Sequence, residues 1–387
     1  MGNLADQRDL ADDVATGTRE APSKPLRVAM VMGHFGGGGA ERVAWNLAIG
    51  LRQHGHHAEC MALRQAGGFD GDSSGVPVRS LGIPSGARAL LSLRRLRRTL
   101  LDGEFDLLWV HGPTSLIACD AAMPVRGRRP RLWFSWHDSE SVLGGRGAKQ
   151  AILLRALRRC ETVLGSSRSV VDRLQQATGL GGEVSVFRNG VPELPETTGR
   201  AADVPVILWA ARLVPTKDPQ ILLRAAAKLK ARGLRFRIVL AGSAAPHLAW
   251  YERQTRDLAA ELGVADCVEF AGWVEDMAGL YADAAIGVQT SHTEGLSMTL
   301  LEQMMAGLAV VATDVGDTAE AVNDGRGILI PPRHEAALTD ALARVIGYAN
   351  ERDRLGRSAR QAALKHFSLA AMNEQVMRLM DCQTEIV

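Results

Sequence analysis

Two glutamates, Glu294 and Glu302, stand eight positions apart in "HTEGLSMTLLEQMMAG", residues 292–307, with Gly295 after the first and an apolar run between them. Such a pair suits either proton transfer or the gripping of hydroxyl groups. The run "LSMTLL" starts a helix near Ser297 to Thr299, so Gly295, Leu296, Ser297 and Met298 present free backbone N–H groups to an anion. Upstream, "WAARLVPTK" sets Arg212 and Lys217 five positions apart in a loop after a strand, where two fixed cations suit a diphosphate. A carboxylate beside a phosphate is repelled by it. Glu294 and Glu302 are therefore read as acceptors for hydroxyls, one of a hexose and one of a ribose, and neither needs to move a proton. Taken singly, each feature has a plainer explanation. Arg212 and Lys217 are then solvated loop charges, Glu294 a helix-dipole partner and Glu302 an exposed helix position.

Other chemistry is narrower. His111 and His137 end two apolar strands, "FDLLWVH" and "RLWFSWH", and Asp138 and Glu140 follow directly in "SWHDSESV". His54, His56 and His57 bracket Gly55 at a helix end, where capping and a solvated turn explain them without a metal. No G-x-x-x-x-G-K-[ST] string occurs, which argues against nucleoside triphosphate hydrolysis. The glycine run from Gly36 to Gly39 lacks the G-x-G-x-x-G spacing and following acid of a dinucleotide fingerprint; Gly38 and Gly39 are read as allowing close backbone approach to a ligand. Asp70-Gly71-Asp72 lies in a Gly/Ser-rich loop far from these features and is read as chance.

The elements that must position these residues alternate strand and helix. "LRVAMVM" is a strand, "AERVAWNLAIGLRQHG" a helix closed by Gly55, "AECMALR" a strand and "ARALLSLRRLRRTLL" a helix. "FDLLWVH" and "RLWFSWH" follow as strands, then the helix "AKQAILLRALRRC" and "TVLGSS". The Pro- and Gly-rich "RNGVPELPETTGRAAD" reads as a linker, after which the rhythm restarts at "VPVILWAAR" and runs through "AVVAT" into a long helical tail. The expectation is α/β: two doubly wound, Rossmann-like domains facing a cleft at the carboxyl ends of their strands. Residues 1–24 read as a disordered leader, 25–188 as the first domain, 189–203 as the linker, 204–365 as the second domain and 366–387 as a terminal helix. A chain of 387 residues with 46% apolar and 23% charged side chains can build two cores. The formal charge of +2 gives no sign of a nucleic-acid binder. Five scattered cysteines without a C-x-x-C argue against a disulfide framework and for a reducing, cytoplasmic setting. No apolar run reaches the length of a transmembrane segment, which leaves peripheral membrane contact.

With these residues in order, "ARLVPTK", "VLAG", "FAGWV" and "EGLSMTLLEQMMAGLAVVATDVG" resemble the donor-binding domain of the retaining glycosyltransferases of family 4, which have the GT-B fold. The likeness extends to "GGGGAERV" as that family's glycine-rich loop, to "RNGV" as its crossing loop and to the last helix as its return to the first domain. It implies that Arg212 and Lys217 hold the diphosphate of a nucleotide-sugar donor, Glu302 the ribose and Glu294 the hexose. The turn at Gly272 to Val274 would receive the base. His137 matches the family's histidine near the reaction centre. No cofactor or metal is implied. Ala211, Asp218 and Ser297 stand where the family often has glycine.

The acceptor divides the readings. Asp138 and Glu140, with His111, suit a small polar or cationic acceptor such as an aminocyclitol, as for relatives acting on aminoglycoside antibiotic intermediates. Against this, Arg88, Arg94, Arg95, Arg97 and Arg98 flank Leu90, Leu93, Leu96 and Leu100 in helix 87–101, a pattern open to a lipid-linked acceptor or to a solvated helix face. A sugar-nucleotide epimerase and a non-catalytic sugar-nucleotide binder share the architecture.

Overall fold

The computed structural model describes residues 24–36, 38–65, 75–83, 89–123, 129–137, 147–180, 184–199 and 203–384. Residues 1–23 of the expected leader, the Asp70-Gly71-Asp72 string, Arg88, Asp138 and Glu140 lie outside them.

Apolar runs too short for a core helix form two all-parallel sheets. The first contains β1 (Arg27–Met32), β2 (His57–Ala62), β3 (Val78–Ser80), β4 (Leu107–His111), β5 (Arg131–Trp136), β6 (Thr162–Gly165) and β7 (Val184–Val186), in the order β3-β2-β1-β4-β5-β6-β7. Strands such as β4 are buried along their whole length because helices cover both faces. On one face lie α2 (Ala89–Asp102), α3 (Pro113–Ala122), α4 (Ala148–Leu157) and α5 (Arg168–Thr178), through Leu96, Leu116, Leu153 and Leu174. On the other lie α1 (Gly39–Gln53) and the terminal helix α13 (Leu369–Thr384), whose Leu47 and Val376 share a core with Trp109 and Trp133.

The second sheet contains β8 (Val206–Ala210), β9 (Arg237–Ala241), β10 (Val268–Gly272), β11 (Ile286–Gln289), β12 (Ala309–Thr313) and β13 (Gly327–Ile330), in the order β10-β9-β8-β11-β12-β13. It is wrapped by α6 (Pro219–Ala231), α7 (Ala249–Glu261), α8 (Ala278–Asp283), α9 (Met298–Met305), α10 (Thr318–Val322), α11 (Glu335–Gly347) and α12 (Ala349–His366). In each sheet the strand order reverses beside the first strand, between β1 and β4 and between β8 and β11, which is where ligands enter such folds. The chain crosses twice between the domains at one place. Val191 N–H donates to the Phe367 carbonyl at 2.8 Å, and Leu369 N–H donates to the Val191 carbonyl at 3.1 Å.

The sequence reading lacks β3, α5 and β7, and it differs from the structure at two further places. β4 and β5 are not consecutive elements, because α3 lies between them. It enters through Gly112 and Pro113 at its first turn, and its apolar residues show no one-sided stripe, so no helical period marks it. The "helical tail" holds the four-residue edge strand β13, too short to show a period of two. The leucine stripe of the basic helix is also spoken for: Leu96 and Leu100 are buried in the first core while Arg94, Arg95, Arg97 and Arg98 face solvent. No helix among the described residues is long and apolar enough to cross a membrane.

Candidate active site

The helix that follows Glu294 begins where its sequence predicts. Ser297 is extended and its Oγ accepts from Leu300 N–H at 3.4 Å, while Leu300, Leu301, Met304 and Met305 are buried and anchor α9. The remaining N–H groups of the first turn stay open.

Glu294 precedes this helix in the loop after β11. Its carboxylate forms an ion pair with Lys217 and accepts from Ser291 Oγ at 2.7 Å; the two charged side chains are 13% and 19% exposed. Lys217 ends a single 3-10 turn, Pro215–Lys217, after β8. That turn is fixed from behind, since Thr290 Oγ1 donates to the Lys217 carbonyl at 2.8 Å and His292 N–H to the Thr216 carbonyl at 2.8 Å. Asp218 takes the left-handed conformation, φ 42°, where the resemblance puts glycine. It holds that backbone by capping α6, accepting from Ile221 N–H at 3.2 Å, and by binding His292 Nε2 at 2.9 Å. Arg212 is exposed in the same loop, and its side chain has no hydrogen-bond or ion-pair partner among the described residues.

Glu302 is not the exposed helix position that periodicity alone allows. Its side chain is 8% exposed; Oε1 binds Arg42 Nη1 at 3.1 Å and Oε2 accepts from Tyr281 OH at 2.6 Å. Arg42 belongs to the first turn of α1, so this ion pair bridges the two domains. The glycine-rich loop leads into that turn, and Glu41 Oε2 holds it by accepting from Gly36 N–H at 2.6 Å and Gly38 N–H at 2.8 Å. A Cβ on Gly39 would lie 3.7 Å from Met298 Cγ, so the amino ends of α1 and α9 meet across the cleft. Two positive helix ends, Arg42 and Lys217 thus converge on Glu294 and Glu302.

The Glu294–Gly295 loop also rests on the first domain: a Cβ on Gly295 would lie 3.6 Å from Ser167 Oγ. Asp317, in the loop after β12, accepts from the backbone N–H groups of Arg168 and, at 2.9 Å, Ser169, capping α5 from the other domain. Gly316 packs under this loop. At φ 56° an added Cβ would sit 2.3 Å from the Glu294 carbonyl oxygen. Gly316→Ala is therefore expected to displace Glu294, lowering both the melting temperature and affinity for a nucleotide sugar; isothermal titration with unchanged affinity would refute this coupling. Gly272 ends β10 at φ 67°, its carbonyl accepting from Gly242 N–H at 2.7 Å, and Val274 is partly buried beyond it.

On the first sheet, His111 Nδ1 and His137 Nε2 are 2.8 Å apart, with ring planes 13° from parallel. His111 is 1% exposed, whereas His137 is partly exposed. Burial holds the His137 imidazole down to about 4; burial, then the neighbouring His137, holds His111 well below the usual histidine range. Both rings are neutral when folded at pH 5–7, whereas the unfolded chain protonates them below about 6.5. The unfolded state then binds more protons, so stability is full above that value and falls as pH drops toward 4. Chemical denaturation at pH 7 and pH 5 should show a loss on the order of 1–2 kcal/mol per histidine, with a flatter dependence in His111→Phe/His137→Gln.

Arg42, Tyr281, Ser291, His292 and Asp317 escaped the sequence reading. Only Arg42 carried a signal, as the cation beside the glycine-rich run.

Residues 37–193 match the family model described as Glycosyltransferase Family 4, and residues 204–347 the model described as Glycosyl transferases group 1. The chain is similar to a D-inositol 3-phosphate glycosyltransferase of Saccharomonospora viridis, 37% identical over 172 residues, or 43% of this chain and 40% of the relative. It is also similar to one of Corynebacterium efficiens, 31% identical over 208 residues, or 51% of this chain and 49% of the relative. The matched part spans half or less of these curated relatives. Among solved structures, Anabaena HepE in complex with UDP-glucose superposes with a TM-score of 0.79 at 20% identity, covering 92% of this chain and 100% of that one. Sucrose-phosphate synthase from Thermosynechococcus elongatus does so with a TM-score of 0.79 at 18% identity, covering 94% and 100%. The shared fold is GT-B.

Proposed function

The chain belongs to the family 4 glycosyltransferases of GT-B architecture, and from that premise we propose that it transfers a hexose or amino-hexose from a UDP-sugar to a hydroxyl of a small polar acceptor, with retention at the anomeric carbon. The observation that supports this reading is the convergence of Lys217, Arg42 and the amino ends of α1 and α9 on Glu294 and Glu302. Departure of the nucleoside diphosphate builds negative charge on phosphate and positive charge on the sugar ring. The cations and open helix N–H groups oppose the first. As the diphosphate draws Lys217, Glu294 is released to accept from a hexose hydroxyl, and Glu302 accepts from the ribose. The departing phosphate oxygen takes the acceptor's proton on the same face, and the closed cleft limits hydrolysis by water. HepE, solved with UDP-glucose, lends support to UDP as the carrier.

For the acceptor, the names of the inositol-phosphate relatives favour a cyclitol ring. Asp138 and Glu140 beside His137 favour a cationic over a phosphorylated one, which makes an aminocyclitol of the aminoglycoside antibiotic type the proposed substrate. The buried thiols Cys60, Cys119 and Cys160 support a reducing, cytoplasmic setting. A screen of UDP-sugars against aminocyclitols, inositol phosphates and lipid carriers in vesicles, read by mass spectrometry, tests this. Aminocyclitol glycosides are expected. Transfer only to inositol phosphate or lipid would refute the acceptor, and conversion of a UDP-sugar without any acceptor would identify an epimerase.

A further inference from the structure

Each of the two glutamates is occupied by a cation of the chain itself, and the two cations are held differently. Lys217, on Glu294, is 19% exposed and belongs to the same domain as its partner. Arg42, on Glu302 at 3.1 Å, comes from the other domain and is 43% exposed. Glu302 is the only hydrogen-bond or ion-pair partner of the Arg42 side chain among the described residues.

Glu302 is 8% exposed, with Oε1 on Arg42 and Oε2 on Tyr281 OH, so a ribose hydroxyl reaches it by displacing one of the two. Desolvation decides which. Tyr281 is 2% exposed, and losing its acceptor would leave a buried OH unpaired. The Arg42 guanidinium returns to water or to a nearby anion, and a pair this exposed is weak. Arg42 is thus the partner that yields. Its N–H closes the first turn of α1 on the Gly38 carbonyl at 2.9 Å, so its side chain springs from the helix end that favours an anion. In a nucleoside diphosphate the phosphates are joined to the ribose ring through a single carbon, which brings phosphate oxygens beside the ribose carboxylate.

We propose that Arg42 masks Glu302 in the free chain and is handed to the diphosphate when a donor binds, so that the ribose is bound well only as part of a nucleoside diphosphate. A free nucleoside breaks the ion pair without offering Arg42 a new partner. A nucleoside diphosphate replaces a weak exposed pair by a charge-assisted bond to phosphate. The inference rests on the reading of Glu302 as the ribose acceptor of a UDP-sugar site.

Titration calorimetry of the full chain with UDP, and with uridine by displacement of UDP, tests it. Arg42→Gln should bind uridine about two- to fivefold more tightly than wild type, because the competitor is gone. It should bind UDP about tenfold more weakly, because the phosphate has lost a cation. The gain for uridine acts through one carboxylate, so adding Arg42→Gln to Glu302→Ala should leave uridine affinity where Glu302→Ala alone puts it. Uridine affinity unchanged or weaker in Arg42→Gln overturns the masking, as does a gain that persists beside Glu302→Ala. UDP affinity unchanged or tighter overturns the handover. Each of these in a chain that binds UDP counts against this inference alone, whereas a wild-type chain that binds neither uridine nor UDP would remove the donor reading on which it rests.

Discussion

Lys217→Ala is expected to lower kcat/KM for the nucleotide sugar by about a hundredfold or more, on the order of 3 kcal/mol, measured by steady-state release of the nucleoside diphosphate with acceptor present. The magnitude follows from the setting of the charge. Lys217 is 19% exposed and fastened by its own carbonyl to Thr290, so its ammonium is placed before the donor arrives and weakly screened by water. Its loss also leaves the Glu294 carboxylate without a counter-ion, facing the site where a diphosphate must bind. Arg212→Ala should cost less, because that guanidinium is exposed in the free chain and must be ordered by the ligand. A Lys217→Ala rate within threefold of wild type would sink the assignment. So would recovery to wild-type rate on adding Glu294→Gln, which would make Lys217 only a counter-ion.

Glu302→Ala should weaken nucleoside diphosphate binding by about 10- to 100-fold and destabilise the free chain as well. Tyr281 is 2% exposed, and its OH has Glu302 Oε2 as acceptor. Burial, then the adjacent carboxylate, raises that phenol well above its ordinary range, so it remains a donor at working pH. Truncation of Glu302 leaves it unpaired, at about 1–3 kcal/mol. Arg42 adds less to stability, since it is 43% exposed and such pairs contribute at most about 1 kcal/mol. Titration calorimetry and thermal melts on Glu302→Ala, Tyr281→Phe and the double variant separate the effects. Stability changes should couple between the two positions, whereas the binding loss should follow Glu302 alone. Unchanged nucleotide affinity in Glu302→Ala would refute its ribose role.

These expectations draw unequally on sequence and structure. The α/β rhythm, the start of α9 at Ser297 and the loop carrying Arg212 and Lys217 were legible in the sequence, because period, capping chemistry and turn residues are local properties. Where local signal was weak the reading failed, at the evenly apolar α3 and the four-residue β13. The leucines of α2 were visible as a stripe, but only packing assigned them to the core.

By itself, then, the sequence determined the element types, the strand-end position of the polar residues and the family resemblance. Tertiary structure alone decided their partners. Arg42 meets Glu302, Asp317 caps α5, and His111 backs His137, pairs separated by 260, 149 and 26 positions. The physical reason is that each contact depends on strand order and on how two separately folded sheets approach each other, and no local periodicity encodes either.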